Sequence, residues 1–460
     1  MAAIIVLSAP RSVMRVSFIF REGLRFNLAR GSSFCPVSGE NASQKYTPLP
    51  FSQPTMSFDV VGQEEDAHET KCEEMCCPNV RQEVGAKTSQ HTRHSLTPKV
   101  SIQMAQFFSN AVEVLKDHPV VTSIVVALVA SAILNRVLAK MAERRNPPIG
   151  HFIVVDGVRL HYVERGTGKP LVLLHGNGSM IQDFDSSGLI DAAAKTYRVI
   201  AFDRPGFGYS DRPRSTIWTP EAQANLIHSA LSKLGVSQPL VLGHSWGTLV
   251  AIALALKYPR DIRGLILASG YYYPTPRVDV LVLSPPALPL IGDVLSHTIS
   301  PILGRLMWPL LLRKIFGPRP VPKKFAGFPK ELAMRPSQIR AAAVETALMI
   351  PKTYSFREAY GHLKMPVAIV AGSEDRLIEA QQSAELHRDI AHSTFRCVPS
   401  TGHMVHQTAT AEVMSAIDMV ATEKKEPVSE IAKSRKQTSR AASLEDGAFT
   451  CARERADAYQ

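Results

Sequence analysis

Ser245 stands in Gly243-His244-Ser245-Trp246-Gly247, a G-x-S-x-G pattern. The apolar run Pro239-Leu240-Val241-Leu242 precedes it, and Thr248 to Leu256 follows as an apolar stretch of helical length. A serine between a strand and a helix can be held on a strained bend with its hydroxyl exposed. The flanking glycines suit that bend, because a Cβ two residues to either side would collide with the neighbouring strand or helix. A serine hydroxyl is a poor nucleophile at neutral pH. It needs an imidazole to take its proton and a carboxylate to orient that imidazole. The apolar run Val367-Ala368-Ile369-Val370-Ala371 ends in Gly372-Ser373-Glu374-Asp375, which offers the carboxylate. The strand-like residues 394–398 lead to Ser400-Thr401-Gly402-His403-Met404-Val405-His406, which offers the imidazole. Upstream, Leu171 to Leu174 runs into His175-Gly176-Asn177-Gly178, a glycine-rich turn whose backbone N–H groups can point at a developing oxyanion. Two choices stay open at this level: His403 against His406, and Asp375 against the adjacent Glu374. His175 reads as support for its turn, and Asp203 and Asp211 as carboxylates that fix their own loop.

These residues need strands and helices to position them. Phe152 to Val155, an Asp156-Gly157 turn and Val158 to Val163 read as a hairpin. The runs 171–174, 197–202, 240–242, 264–268 and 367–371 are continuously apolar, as strands buried on both faces of a parallel sheet are. Helical patterns such as 220–234 and 245–258 lie between them. The alternation predicts an α/β fold with a mostly parallel, doubly wound sheet. Residues 275–350 break this rhythm: they are Pro-rich and apolar, as in Leu306-Met307-Trp308-Pro309-Leu310. An insertion there reads as a helical lid over the carboxyl ends of the strands, where open α/β sheets bind ligands.

From about His151 to Thr422 the chain resembles the α/β-hydrolase superfamily. The resemblance rests on H-G-N-G, the run Phe202 to Pro213, G-H-S-W-G, G-S-E-D and G-H-M-V-H, in the chain order serine, acid, histidine. It implies Ser245 as nucleophile, His403 as general base and acid, and Asp375 as orienting acid. It further implies an oxyanion hole made by the backbone N–H groups of Asn177 and Trp246. The Trp246 and Asn177 side chains resemble the halide-holding pair of dehalogenase relatives, which use aspartate where Ser245 stands. A serine there excludes the alkyl-enzyme ester of dehalogenases and epoxide hydrolases. The expected activity is hydrolysis of an ester, thioester or lactone bearing an apolar group, through an acyl-enzyme. A carbon–carbon hydrolase or a cofactor-free perhydrolase would use the same residues; a ligand receptor or scaffold would keep them without turnover. No cofactor and no metal is implied.

Residues 119–134 carry no charge, and Val137-Leu138 extend the run past Arg136. This stretch approaches the roughly 20 residues needed to cross a bilayer and reads as a single-pass membrane anchor over 119–138. Lys140, Arg144 and Arg145 follow it, which places the downstream domain in the cytoplasm. Pro147-Pro148 and the basic run before them read as a linker. Five arginines among residues 1–30 resemble an organellar presequence, and residues 38–100 are polar and without periodicity. The expected organisation is a leader (1–103), an anchor with linker (104–148), two core parts (149–274 and 351–423) flanking a lid (275–350), and a tail (424–460). The net charge of +11 is scattered rather than gathered in a stripe with aromatics, which argues against a nucleic-acid partner. Of six cysteines only Cys397 falls in an expected core strand. Cys72, Cys76 and Cys77 lack a second pair at metal-ligand spacing.

Overall fold

The computed structural model describes residues 117–423, isolated helical positions at 106, 109 and 113, and two short strands near the start of the chain. Those strands, Ile4–Ser8 and Arg15–Ile19, pair antiparallel. Both lie within the stretch read from the sequence as a leader. The rest of that leader and the tail from 424 lie outside the described residues.

The sheet comprises β1 (His151–Val155), β2 (Val158–Arg165), β3 (Lys169–Leu174), β4 (Tyr197–Phe202), β5 (Leu240–His244), β6 (Gly264–Ala268), β7 (Val367–Gly372) and β8 (Thr394–Val398). Their order is β8-β7-β6-β5-β3-β4-β2-β1. Pairing is parallel from β4 to β8 and antiparallel where β2 meets β1 and β4. The Asp156-Gly157 turn takes positive φ at both residues (50° and 75°), as a tight hairpin requires. Strand periodicity splits the apolar side chains between two layers. Val172 and Leu174 of β3 join one cluster and Leu171 and Leu173 the other, all fully buried. The first layer is closed by α4 (Pro220–Lys233) and α5 (Gly247–Lys257). The second is closed by α2 (Ile181–Ser187), α3 (Leu189–Ala193) and α13 (Thr410–Thr422). Helix α4 starts where the sequence dictates: Thr219 Oγ1 accepts from the Ala222 N–H, and Pro220 occupies the first turn.

Between β6 and β7 the chain forms α6 (Val278–Leu283), α7 (Ile291–His297), α8 (Ile299–Phe316), α9 (Lys330–Ala333) and α10 (Pro336–Phe356). After β7 come α11 (Ala380–Asp389) and α12 (Val405–Thr408).

Helix α1 (Pro119–Arg145) is long and apolar enough to cross a membrane, about 40 Å at 1.5 Å per residue. It continues through the basic run that the sequence reading took as linker. Lys140, Ala142, Glu143 and Arg144 are good helix formers, and Pro147 stops the helix only two residues past its end. Most of its apolar side chains are exposed, but Asn135 is buried. Asn135 Nδ2 donates to the carbonyls of His297 (3.0 Å) and Thr298 (2.9 Å), and its Oδ1 accepts from Arg305 (2.8 Å). The polar side chain thus fastens α1 to α7 and α8. Cys397, taken above as a lone core thiol, is disulfide-bonded.

Asn135→Ala is expected to cost about 2 kcal/mol, because it removes bonds to the half-buried Arg305 guanidinium and to two carbonyls at once. The check is the thermal midpoint of the full chain in detergent, which should fall by several degrees. Ser123→Ala, which removes an exposed bond to Pro119, should leave it unchanged.

Candidate active site

Ser245 lies between β5 and α5 with φ 52°, a left-handed backbone that costs a non-glycine residue on the order of 1–3 kcal/mol. Three bonds hold it there: its N–H donates to Ala268 O (2.9 Å), and its carbonyl accepts from Thr248 N (3.0 Å) and Thr248 Oγ1 (2.6 Å). The flanking glycines are required sterically. A Cβ at Gly247 would stand 2.1 Å from Leu174 O, and one at Gly243 would stand 2.5 Å from Gly247 O.

Asp375 follows the end of β7, and His403 lies in the loop between β8 and α12. His403 Nδ1 stands 2.7 Å from Asp375 Oδ2, with both side chains buried. The other oxygen, Oδ1, accepts from the N–H groups of Leu377 (2.8 Å) and Ile378 (2.9 Å). Anchoring Nδ1 as the donor fixes the ring's orientation and leaves Nε2 as the reactive nitrogen. The pair that meets is Asp375 with His403. Glu374 takes no part in it, and His406 lies elsewhere, with Nε2 3.0 Å from Asp183 Oδ1. Among the described residues no hydrogen bond joins Ser245 Oγ to His403, a contact that in unliganded sites often forms only with substrate.

Asn177 and Trp246 flank this site from the β3 turn and the start of α5. Asn177 Nδ2 donates to Ala342 O (3.1 Å) and Thr346 Oγ1 (3.0 Å), so its side chain pins the turn to α10. Among the described residues neither the Asn177 nor the Trp246 backbone N–H donates to a protein acceptor. Unengaged donors beside a nucleophile are what an oxyanion hole needs.

Asp203 is buried and accepts from Ile181 N (2.9 Å) and Tyr209 N (2.9 Å), with His161 Nδ1 2.6 Å away, which makes it a loop-fixing residue. Asp211 pairs loosely with Arg159 at 3.4 Å on the surface.

Sequence reasoning passed over two buried networks. Arg204 donates to His175 O (2.7 Å), Gly176 O (2.9 Å), Gln223 Oε1 (2.9 Å) and both oxygens of Glu345 (2.5 and 3.0 Å). A charged Asp203-Arg204 pair directly after an apolar strand was the available signal. Behind the site, Asp183, His244 and His406 pack together, and His244 Nε2 lies 3.2 Å from His403 O. Burial raises the Asp183 carboxyl, but His406, His244 and Gln407 outweigh it and hold it below the usual range. Burial, then the charges of His406 and His403, push His244 well below a normal imidazole.

His175 supports its turn, as expected. Its Nδ1 donates to Gly176 O (2.8 Å), and its Nε2 accepts from Arg204 N (2.9 Å), which specifies a neutral ring. Burial first, then the Arg204 charge, depress it to about 3, against the opposing pull of Asp203 and Asp183.

A family model described as the alpha/beta hydrolase fold matches residues 169–410. The chain belongs to that family. It is 33% identical over 136 residues to 2-hydroxymuconate semialdehyde hydrolase of Pseudomonas sp. (strain CF600), a match covering 29% of this chain and 48% of the relative. It is also 33% identical over 116 residues to haloalkane dehalogenase 2 of Mycobacterium tuberculosis (strain ATCC 25618 / H37Rv), covering 25% and 40%. The chain thus spans about half the length, or less, of these curated relatives. Among solved structures, epoxide hydrolase CorEH superposes with a TM-score of 0.50 at 23% identity, over 59% of this chain and 98% of that one.

A histidine depressed by folding binds its proton in the unfolded chain first, so stability is lost as pH falls below about 6.5. Between pH 6.5 and 5, His175 alone is expected to account for about 1.6 kcal/mol, the slope rising toward 1.36 kcal/mol per pH unit as the unfolded imidazole protonates. Urea unfolding at the two pH values measures this loss, and His175→Gln should shrink it.

Proposed function

We propose that this chain is a serine hydrolase that cleaves a carboxylic ester, thioester or lactone bearing an apolar group, anchored in a membrane by α1. The observation that carries the reading is the 2.7 Å Asp375–His403 pair close to a strained serine with two free backbone donors beside it. In this reading Ser245 Oγ attacks the acyl carbon while His403 Nε2 takes its proton. Asp375 stabilises the imidazolium, and the Asn177 and Trp246 N–H groups hold the oxyanion. His403 then protonates the leaving oxygen or sulfur, and the acyl group stays on Ser245. Water, deprotonated by the same imidazole, attacks the acyl-enzyme and restores the hydroxyl. Serine at 245 disfavours dehalogenase and epoxide hydrolase chemistry, whose alkyl-enzyme ester needs a carboxylate nucleophile. A carbon–carbon hydrolase is the second reading, favoured by the 33% identity to 2-hydroxymuconate semialdehyde hydrolase. Helix α1, with only 6% of its most apolar window buried, supports the anchor.

A fluorophosphonate probe should label Ser245 in the folded chain. His403→Ala should abolish labelling and lower kcat/KM by about a thousandfold or more, whereas His406→Gln should still label. No adduct, with a control hydrolase fully labelled, would overturn the enzyme reading. Acyl esters of graded chain length, run beside 2-hydroxymuconate semialdehyde, separate the two reactions by kcat/KM. Full-length chain should stay with membranes after a carbonate wash, and a freely soluble chain refutes the anchor.

A further inference from the structure

A cavity of about 580 Å³ is lined by none of Ser245, His403 and Asp375. Arg159, Arg212, Arg214, Arg335 and Arg340 line it, with Glu143 and Asp211 as its only acids. The positive charge there is under-compensated. Asp293 Oδ1 serves both Arg214 and Arg340 at 2.7 Å each. Glu345 is already committed to Arg204 and stands 4.0 Å from Arg212. Glu143 serves Arg335 and Lys140, and Asp211 serves Arg159. Arg159, Arg204, Arg212, Arg214, Arg335 and Arg340 therefore share the four carboxylates of Glu143, Asp211, Asp293 and Glu345. At least two positive charges remain uncompensated.

Arg212 bears most of that imbalance. Its Nη1 donates to Pro205 O (2.8 Å), while its Nη2 is buried without a protein partner. Burial, set against the attraction of Glu345 and reinforced by Arg204 and Arg340, pushes the guanidinium down to about 10. A buried cation with an idle donor is costly unless an anion satisfies it. Forked guanidinium donors match the oxygens of a phosphate two at a time, and a double excess of charge suits a phosphomonoester better than a single carboxylate.

We propose that this cavity binds a phosphate-bearing anion, with Arg212 as its buried ligand and Arg214 as its outer one. The phosphate could arrive as a soluble anion or as the headgroup of a bilayer lipid. Glu143 is the third residue from the end of α1, so the cavity lies beside the end of the apolar helix.

The test uses the full chain in detergent. Inorganic phosphate is titrated against sodium chloride at matched ionic strength, and the thermal midpoint is followed. Phosphate should raise it by several degrees and chloride should not. Arg212→Gln should raise the half-saturating phosphate concentration at least tenfold. Arg214→Gln, whose side chain is 65% exposed and so tolerates replacement, should raise it several-fold even if the first variant fails to fold. A second arm compares co-flotation with phosphatidylcholine vesicles with and without phosphatidic acid. A gain on adding phosphatidic acid that Arg214→Gln removes identifies a lipid headgroup. A phosphate response without that gain identifies a soluble anion. Equal effects of phosphate and chloride, with no Arg214-dependent gain in flotation, overturn the proposal, as does an unchanged phosphate response in both variants.

Discussion

The Arg204 guanidinium is fully buried at the point where the turn after β3, the loop after β4, α4 and α10 converge. Its donors reach two carbonyls of the His175-Gly176 turn, the Gln223 amide and both oxygens of Glu345. A charge taken out of water is tolerated only when its partners are complete, and losing one partner leaves an uncompensated ion. The roof helix α10 and the turn bearing the free Asn177 N–H are therefore tied through one ion pair. Asn177 repeats the link through Ala342 and Thr346 of α10. Helix α10, within the insertion between β6 and β7, is consequently fastened to the turn after β3.

Sterics set the second constraint. The Leu174 carbonyl crowds Gly247 and the Gly247 carbonyl crowds Gly243, so neither glycine beside the Ser245 bend admits a Cβ. The strain at Ser245 persists because β3, β6 and α5 fix the chain on all sides through backbone bonds and a fully buried apolar layer. The packing that stabilises the sheet is thus also what keeps the serine in an unfavourable backbone conformation with its side chain available.

Polar groups decide how the apolar periphery is organised. Helix α1 presents Val120, Ile124, Val126 and Ile133 outward, and α8 presents Leu306 and Leu310 outward in the same manner. What joins α1 to α7 and α8 is a buried amide, Asn135, working with Arg305 and two carbonyls. Apolar contact alone would not fix the register of two such surfaces, whereas a satisfied buried amide does.

Local signals carried much of this in the linear chain. Apolar runs marked the strands 197–202 and 264–268 to the residue, a strand-like pattern marked 394–398, and the Asp156-Gly157 pair marked the hairpin. The G-x-S-x-G pattern specified a turn that only glycines could flank, because that requirement is steric and local. That Asp375 rather than Glu374 meets an imidazole, and that the imidazole is His403 rather than His406, are not local properties of the chain. Both depend on which side chains face each other across loops that the sheet brings together. The Arg204–Glu345 pair spans 141 residues, and the charge imbalance around Arg212 exists only once α10 has folded over the loop after β4. Sequence determined the elements and the residue types available for chemistry, through periodicity and backbone sterics; tertiary structure decided which charges meet, since pairing depends on distance in space rather than along the chain.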